Sequence, residues 1–188
     1  MKFLLKALTL TMVAFPLYSQ EIAKSSQHGD WEVYLDNDLC WASTVPALDM
    51  SVYKRNGKTI DPPNRGDKKF ISFAVAFEKG NSPTPHIIYS AGSFEFSENP
   101  SNANLFKLVV KGSNIKDKSF ALGPANQNNM GWVYPAVPQE AEIVELMKKA
   151  GNAKVTVVSK RGTVITDTMS LIGITAALKD AKDKCTTN

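Results

Sequence analysis

The sequence predicts a mainly β protein, an antiparallel β-sandwich that is jelly-roll-like or related, with two packed α-helices in its C-terminal third. Three observations support this. Short apolar or alternating segments recur along the chain, clusters of Gly, Pro, Asn and Ser separate them, and helical periodicity is confined to two segments after residue 137.

The first 19 residues have the layout of a secretory signal peptide. Lys2 and Lys6 precede or interrupt an apolar stretch that continues over residues 7–15, and the first acidic residue is Glu21. The apolar stretch is shorter than the about 20 residues that a membrane-spanning helix needs. We therefore expect residues 1–19 to be removed, with cleavage at this point or one residue later.

The processed chain is nearly balanced in charge. Loss of residues 1–19 reduces the basic residues from 22 to 20, against 18 acidic ones. No basic stripe with interleaved aromatic residues is present, which argues against nucleic acid as a partner. We expect residues 20–28 to form a flexible leader and residues 29–188 to form a single β-sandwich domain, with no transmembrane segment after cleavage.

The N-terminal third of the domain predicts a pair of strands and a long loop. Residues 31–35 alternate apolar and polar side chains, residues 36–38 form a turn, and the next strand carries Cys40 and Trp41. Residues 56–67 are dense in turn-forming residues and predict a loop.

The middle of the chain predicts one central strand and several short ones. Residues 70–77 carry apolar side chains on both faces, as a central strand does. Residues 124–131 contain four amide side chains and predict a surface loop, followed by a strand-like segment at 131–134. Further short strands are predicted at residues 87–89, 93–96, 105–111 and 119–122.

Two helices flank a hairpin near the C-terminus. The first is predicted at residues 138–150, with acidic residues early, basic residues late and Gly151 at its end. The hairpin joins residues 154–158 to residues 163–169. The last helix has an apolar stripe that ends at Cys185 and contains Ile174, Ala177, Leu178 and Ala181.

The two cysteines, Cys40 and Cys185, predict one disulfide. An even number of cysteines in an exported chain is most simply explained by a bridge, and two buried free thiols are the alternative. The apolar stripe that packs the last helix on the sheet also presents Cys185 to it, so a bridge to the strand with Cys40 is sterically reasonable.

Several motifs are spread over the whole processed chain: Gly29-Asp30-Trp31, Cys40, Arg65-Gly66-Asp67, Trp132, the helix with Met147, Arg161-Gly162-Thr163, Asp167, Ser170-Leu171-Ile172-Gly173 and Cys185. Together they resemble the invasion-associated locus B family. This resemblance implies an exported envelope protein with a compact β-sandwich core, in a family named for a link to host-cell entry. It implies no defined catalytic activity. Some members have a further cysteine in the first strand, where this chain has Tyr34 and Leu35.

The chain offers few residues for catalysis or metal binding. Its two histidines are His28 and His86, and neither has a potential metal ligand at a useful spacing. The same scarcity argues against Ser-His-Asp or Cys-His nucleophiles. We therefore expect no metal, no cofactor and no enzymatic activity.

Four residues are candidates for a binding site. Trp132 and Tyr134 lie beside the amide-rich loop, where they are either a carbohydrate or peptide contact or part of the core. Arg161 and Asp167 lie in the most specific motif. We interpret these two as structural, with Asp167 pairing with Arg161 or Lys160 across the hairpin.

The expected function is that of an exported envelope protein, periplasmic, outer-membrane associated or secreted. It acts as a non-catalytic protein-interaction or structural module, in which edge strands contact another envelope or host protein. The alternatives are a carbohydrate- or lipid-binding module and an enzyme of unrecognised type.

Overall fold

The structure is a computed structural model, and it describes residues 24–36, 38–80, 84–97, 106–112, 115–124, 132–135 and 139–186. The predicted signal peptide lies outside these residues. The described residues form two α-helices, α1 (Glu140–Met147) and α2 (Ile174–Thr186). The strands are β1 (Lys24–His28), β2 (Trp31–Leu35), β3 (Leu39–Thr44), β4 (Val52–Arg55), β5 (Lys58–Thr59), β6 (Ile71–Glu78), β7 (Pro85–Ala91), β8 (Lys107–Gly112), β9 (Ile115–Pro124), β10 (Trp132–Pro135), β11 (Asn152–Val158) and β12 (Thr163–Ser170).

All strand pairs are antiparallel, and their order is β1-β2-β3-β6-β7-β10-β9-β8-β11-β12-β4-β5. Strand β9 belongs to both sheets, because its first part pairs with β8 and residues Leu122–Pro124 pair with β10. We call the sheet from β1 to β10 the first sheet and the sheet from β8 to β5 the second sheet. The predicted mainly β sandwich with two helices is confirmed.

The core lies between the two sheets and beneath the helices. Alternation decides which side chains enter it: in β12, Thr163, Ile165, Asp167 and Met169 are buried and their neighbours are half-buried. The largest buried side chains include Trp31, Phe73, Tyr89, Leu108, Ile143 and Met147.

The predicted disulfide is confirmed. Helix α2 packs on β2, β3 and β6 through the predicted stripe, and Cys185 is bonded to Cys40 with their Cα atoms 5.6 Å apart. The alternative of two free thiols is excluded. The bridge indicates an oxidising, extracytoplasmic compartment. No helix among the described residues has the length and apolar character to cross a membrane.

Two glycines from the motifs allow β1 and the entry to α2 to cross closely. Gly29 and Gly173 both have positive φ, and a Cβ on Gly173 would collide with the carbonyl oxygen of His28. The neighbouring Trp31 Nε1 donates to the carbonyl oxygen of Ser170 at 3.1 Å. These motif residues therefore fasten the N-terminal strands to the start of α2.

Some local predictions are wrong. The second part of the predicted flexible leader is strand β1, because its backbone pairs with β2. The predicted 56–67 loop contains the short strand β5. The predicted strand at residues 93–96 reduces to a single bridge between Phe96 and Ser159. The predicted amide-rich loop lies mostly outside the described residues.

Candidate functional site

A groove of about 920 Å³ runs along the outer face of the first sheet. The alternation of β2 and β3 creates its wall, because the inward residues fill the core and the intervening ones point to solvent. Its lining includes Glu32, Tyr34, Trp41, Ser43, Phe70 and Ser72.

Two aromatic side chains form a platform in this groove. Tyr34 on β2 lies directly opposite Trp41 on β3, and their rings stack with centroids 5.7 Å apart and planes 17° apart. Both side chains are half-buried. On the other side of Trp41, β6 contributes the small residue Ala76, so that strand adds no bulky side chain beside the indole.

Two further apolar side chains line the groove and are unusually exposed. Phe70 is 58% exposed and Val45 is 55% exposed. Exposed apolar groups that occur singly are ordinary, but these lie beside the aromatic platform in one concave surface. The groove is therefore suited to contact apolar parts of a ligand.

The polar groups of the groove are held in defined ionisation states. Glu32 accepts hydrogen bonds from Lys24 and from the Tyr34 hydroxyl, and these bonds lower the pKa of its carboxyl group. Burial and the hydrogen bond to Glu32 raise the pKa of Tyr34 to about 12. At neutral pH the groove therefore presents a carboxylate and a neutral phenol, together with the hydroxyls of Ser43 and Ser72.

A second polar cluster is buried between the sheets. Arg65 is 5% exposed, and its guanidinium donates to both carboxylate oxygens of Asp167, at 2.9 and 2.7 Å. The same guanidinium donates to the hydroxyls of Tyr53 and Tyr89, and its Nε donates to the Ala91 carbonyl at 3.1 Å. The cluster is closed to solvent, so we assign it a structural role.

The predicted pairing of Asp167 with Arg161 or Lys160 is wrong. Asp167 is fully buried and is bonded to Arg65, whereas Arg161 is exposed in the hairpin turn. Lys160 instead forms an ion pair with Glu95. The reason is the alternation of β12, which turns Asp167 into the interior. Arg161 lines a separate groove.

The other two candidates, Trp132 and Tyr134, have their backbones in β10. Trp132 pairs with Ser90 and Tyr134 pairs with Gly123. Their side chains lie outside the described part of the structure. Both interpretations, a ligand contact and a place in the core, therefore stay predictions.

Both histidines have acidic partners that sequence spacing did not reveal. His28 Nε2 lies 3.0 Å from Asp180 Oδ2, and His86 Nδ1 lies 3.2 Å from Glu140 Oε2. Glu140 is buried and also accepts a hydrogen bond from the backbone of Ile87. Within the described ranges, no three His, Cys, Asp or Glu side chains are grouped to hold a metal ion.

The stacked pair was not among the predicted site residues, although the sequence contains a signal for it. Cys40 must face inward to reach Cys185, so the next residue of an extended strand, Trp41, must face outward. An outward-facing tryptophan predicts an aromatic group on the outer surface, whereas its stacking with Tyr34 follows from the register of β2 with β3.

Comparisons with known proteins add no relative: no family model matches the chain, and neither a curated protein nor a solved structure gives a significant match. The membership implied by the resemblance to the invasion-associated locus B family therefore stays a prediction, and the arguments about function rest on the geometry of the chain itself.

Proposed function

We propose that this protein is an exported, non-catalytic carbohydrate-binding protein and that the groove on the first sheet is its binding surface. The observation that carries the proposal is the outward-facing Tyr34–Trp41 stack beside the ionised Glu32. The disulfide and the predicted signal peptide support a location in the periplasm or at the outer surface of the envelope.

The chemistry of a sugar matches this surface. One face of a pyranose ring carries C–H groups that pack on an aromatic ring, while its hydroxyls need hydrogen-bond acceptors and donors at the edge. Trp41 supplies the aromatic ring, and Glu32 and Ser43 supply polar groups from the same face. An open groove with several polar groups suits a sugar better than a lipid chain, which requires an enclosed apolar cavity.

The sheet edges are less suited to binding a partner protein by strand addition. Among the described strands, β1 and β5 end the strand order. Strand β1 has an irregular register between Lys24 and Ser26, and β5 has only two residues. Bulges, lysines and short length are features that protect edge strands from pairing with other chains. The geometry therefore favours the carbohydrate alternative over a protein partner at the edges.

The state of Glu32 supports binding rather than hydrolysis. A glycosidase needs a carboxylic acid whose pKa is raised so that it can protonate the leaving oxygen. Hydrogen bonds from Lys24 and Tyr34 lower the pKa of Glu32 instead. This carboxylate is therefore suited to accept hydrogen bonds from a ligand.

The test is binding of the purified, oxidised protein to a glycan array, followed by titration calorimetry with the best ligand. Trp41→Ala should abolish binding and leave the melting temperature nearly unchanged, because Trp41 is on the outer face. Met50→Ala is the matched control, since Met50 is an apolar residue, 56% exposed, outside the groove lining. This control should bind like the wild type.

A pair of Tyr34 variants separates the ring from its hydroxyl. Tyr34→Phe keeps the stacked ring and should weaken binding only slightly. Tyr34→Ala should weaken it by roughly two- to tenfold, since aromatic contacts contribute about 0.5–1.5 kcal/mol beyond their buried area. Absence of any bound glycan, or unchanged affinity in Trp41→Ala, would reject the proposal.

A further inference from the structure

A second groove, of about 410 Å³, lies at the hairpin turn of the second sheet. Four segments that are separate in the sequence meet there: the end of β4, the loop after β5, the segment after β7 and the turn between β11 and β12. Its polar lining includes Arg55, Asn64, Ser93, Glu95, Lys160 and Arg161. Three of these residues are cationic and one is acidic.

Arg55 is held in position by a buried residue. Its Nε and Nη2 both donate to the Thr163 hydroxyl, at 3.1 and 2.7 Å, and Thr163 is fully buried. Thr163 is fixed in turn, because its backbone N–H donates to Ser159 Oγ at 3.0 Å. The guanidinium is therefore oriented before any ligand arrives, and its Nη1 takes no part in this contact.

Asn64 presents a donor to the same groove. Its side-chain oxygen accepts a hydrogen bond from the Gly66 backbone at 2.9 Å, which leaves the amide NH₂ as its other polar group. Gly66 has a positive φ of 79°, and a Cβ at this position would collide with the Ser93 hydroxyl, so the turn requires glycine. The hydrogen bond from Gly66 therefore orients the Asn64 amide group.

The charge of the groove is positive after internal pairing. Lys160 pairs with Glu95, with Nζ 3.3 Å from the carboxylate, and the Lys160 backbone N–H also donates to the Glu95 carbonyl. This pair neutralises the acid and leaves Arg55 and Arg161 uncompensated within the described lining.

We propose that this groove binds a phosphate-type tetrahedral oxyanion. Arg55, Asn64 and Arg161 bring hydrogen-bond donors to the groove from three different segments. A tetrahedral anion has oxygens in several directions and can accept from all three, whereas a planar carboxylate offers only two oxygens in one plane. Guanidinium groups bind phosphate through paired, charge-assisted hydrogen bonds. The site is separate from the carbohydrate groove, so it does not depend on the function proposed above.

Inorganic phosphate is the probe, titrated at constant ionic strength and followed by amide chemical shifts in ¹H–¹⁵N spectra. The wild type should bind saturably, with shifts centred on Asn64, Ser93 and Arg161. Arg161→Gln should weaken binding about tenfold or more, because the variant loses a charge-assisted hydrogen bond to the anion. Lys182→Gln removes the same charge from an exposed position of α2, outside this groove, and should leave affinity unchanged.

Two further arms identify the source of the phosphate group. Glycerol phosphate represents a soluble phosphate ester, and vesicles of phosphatidylcholine with phosphatidylglycerol represent a lipid headgroup. Binding to either one that is weakened in Arg161→Gln supports the site. Absence of saturable binding to all probes, an equal loss in Lys182→Gln, or equally tight binding of acetate would overturn the proposal.

Discussion

Asp167 and Arg65 form a two-point ion pair in the interior, with guanidinium to carboxylate distances of 2.9 and 2.7 Å. Asp167 comes from the second sheet, and Tyr89 of the first sheet donates its hydroxyl to the same carboxylate at 2.6 Å. Burial and the nearby charge of Asp167 raise the pKa of Tyr89 well above its usual value, so this hydroxyl stays protonated and remains a donor. The Asp167 carboxylate therefore connects the two sheets through its hydrogen bond from Tyr89.

Removing one partner of this pair should be strongly destabilising. Asp167→Ala leaves the buried Arg65 charge without its partner, which typically costs about 3–5 kcal/mol in the free energy of unfolding. Urea denaturation monitored by fluorescence measures this loss. The double variant Arg65→Met with Asp167→Leu removes both charges and should be less destabilised than Asp167→Ala. An Asp167→Ala variant with wild-type stability would contradict the structural role.

Gly173 should not tolerate a side chain. Gly173→Ala places a Cβ against the His28 carbonyl in a backbone with φ +90°, whereas Gly162 has φ +75° with no atom within 4 Å of the added Cβ. Gly162→Ala is therefore the control and should cost about 1–2 kcal/mol from backbone strain alone. Gly173→Ala should cost about 1–3 kcal/mol more, from overpacking. Equal thermal shifts for the two variants would contradict the close crossing of β1 and α2.

Loss of the disulfide should loosen the end of α2 most. Replacing Cys40 and Cys185 with alanine should cost about 2–4 kcal/mol in the free energy of unfolding, with a ceiling near 5 for a long loop. Amide hydrogen exchange should rise more at Lys184 and Cys185 than at Ala177, because Ile174 and Leu178 still anchor the first turns of α2. Uniform exchange along the helix would show that the bridge does not act locally.

Asp180 should make stability depend on pH at the acidic end. Burial opposes its ionisation, but hydrogen bonds from Ser26, His28 and Lys184 outweigh this and hold the pKa of Asp180 well below its usual value. Since the folded pKa is lowered, the contribution to stability is present above about pH 4, the unfolded pKa. It is lost as the pH falls below that value towards the folded pKa.

The measurement compares the wild type with Asp180→Asn in urea at pH 5.5 and at pH 2.5. The variant should be less stable at pH 5.5, and the difference should shrink at pH 2.5. Asp183→Asn is the control on the same helix, because Asp183 pairs with Lys179 at the surface and such pairs contribute about 0–1 kcal/mol. A difference that grows on acidification would have the wrong sign.

Local patterns predicted the fold well where one face of an element is buried. The stripe of α2 and the alternation of β12 depend on neighbours in sequence, so they were visible without a structure. The polar side chains of β1 predict a leader, whereas the strand is held by pairing with β2 and by contacts with Asp180. The polarity of these side chains does not reveal that Ser26 donates a hydrogen bond to Asp180, which lies 154 positions later in the sequence.

The site was harder to predict because it depends on which residues meet across strands. The sequence places Asp167 in a specific motif but predicts the wrong partner for it, because Arg65 approaches it from a loop 102 positions earlier. The sequence predicts that Tyr34 and Trp41 lie in strands, but their stacking depends on the register of β2 with β3. The register depends on which strands pair across the whole sheet, so it is difficult to read from the sequence alone.

The sharing of β9 between the two sheets bears on how the protein unfolds. Residues 122–124 pair with β10 and the preceding residues pair with β8, so loss of β9 would expose a new edge on each sheet, at β10 and at β8. The two layers are thus mechanically coupled and cannot melt as independent halves. Unfolding should be all-or-none, with equal calorimetric and van't Hoff enthalpies and one transition for every spectroscopic probe.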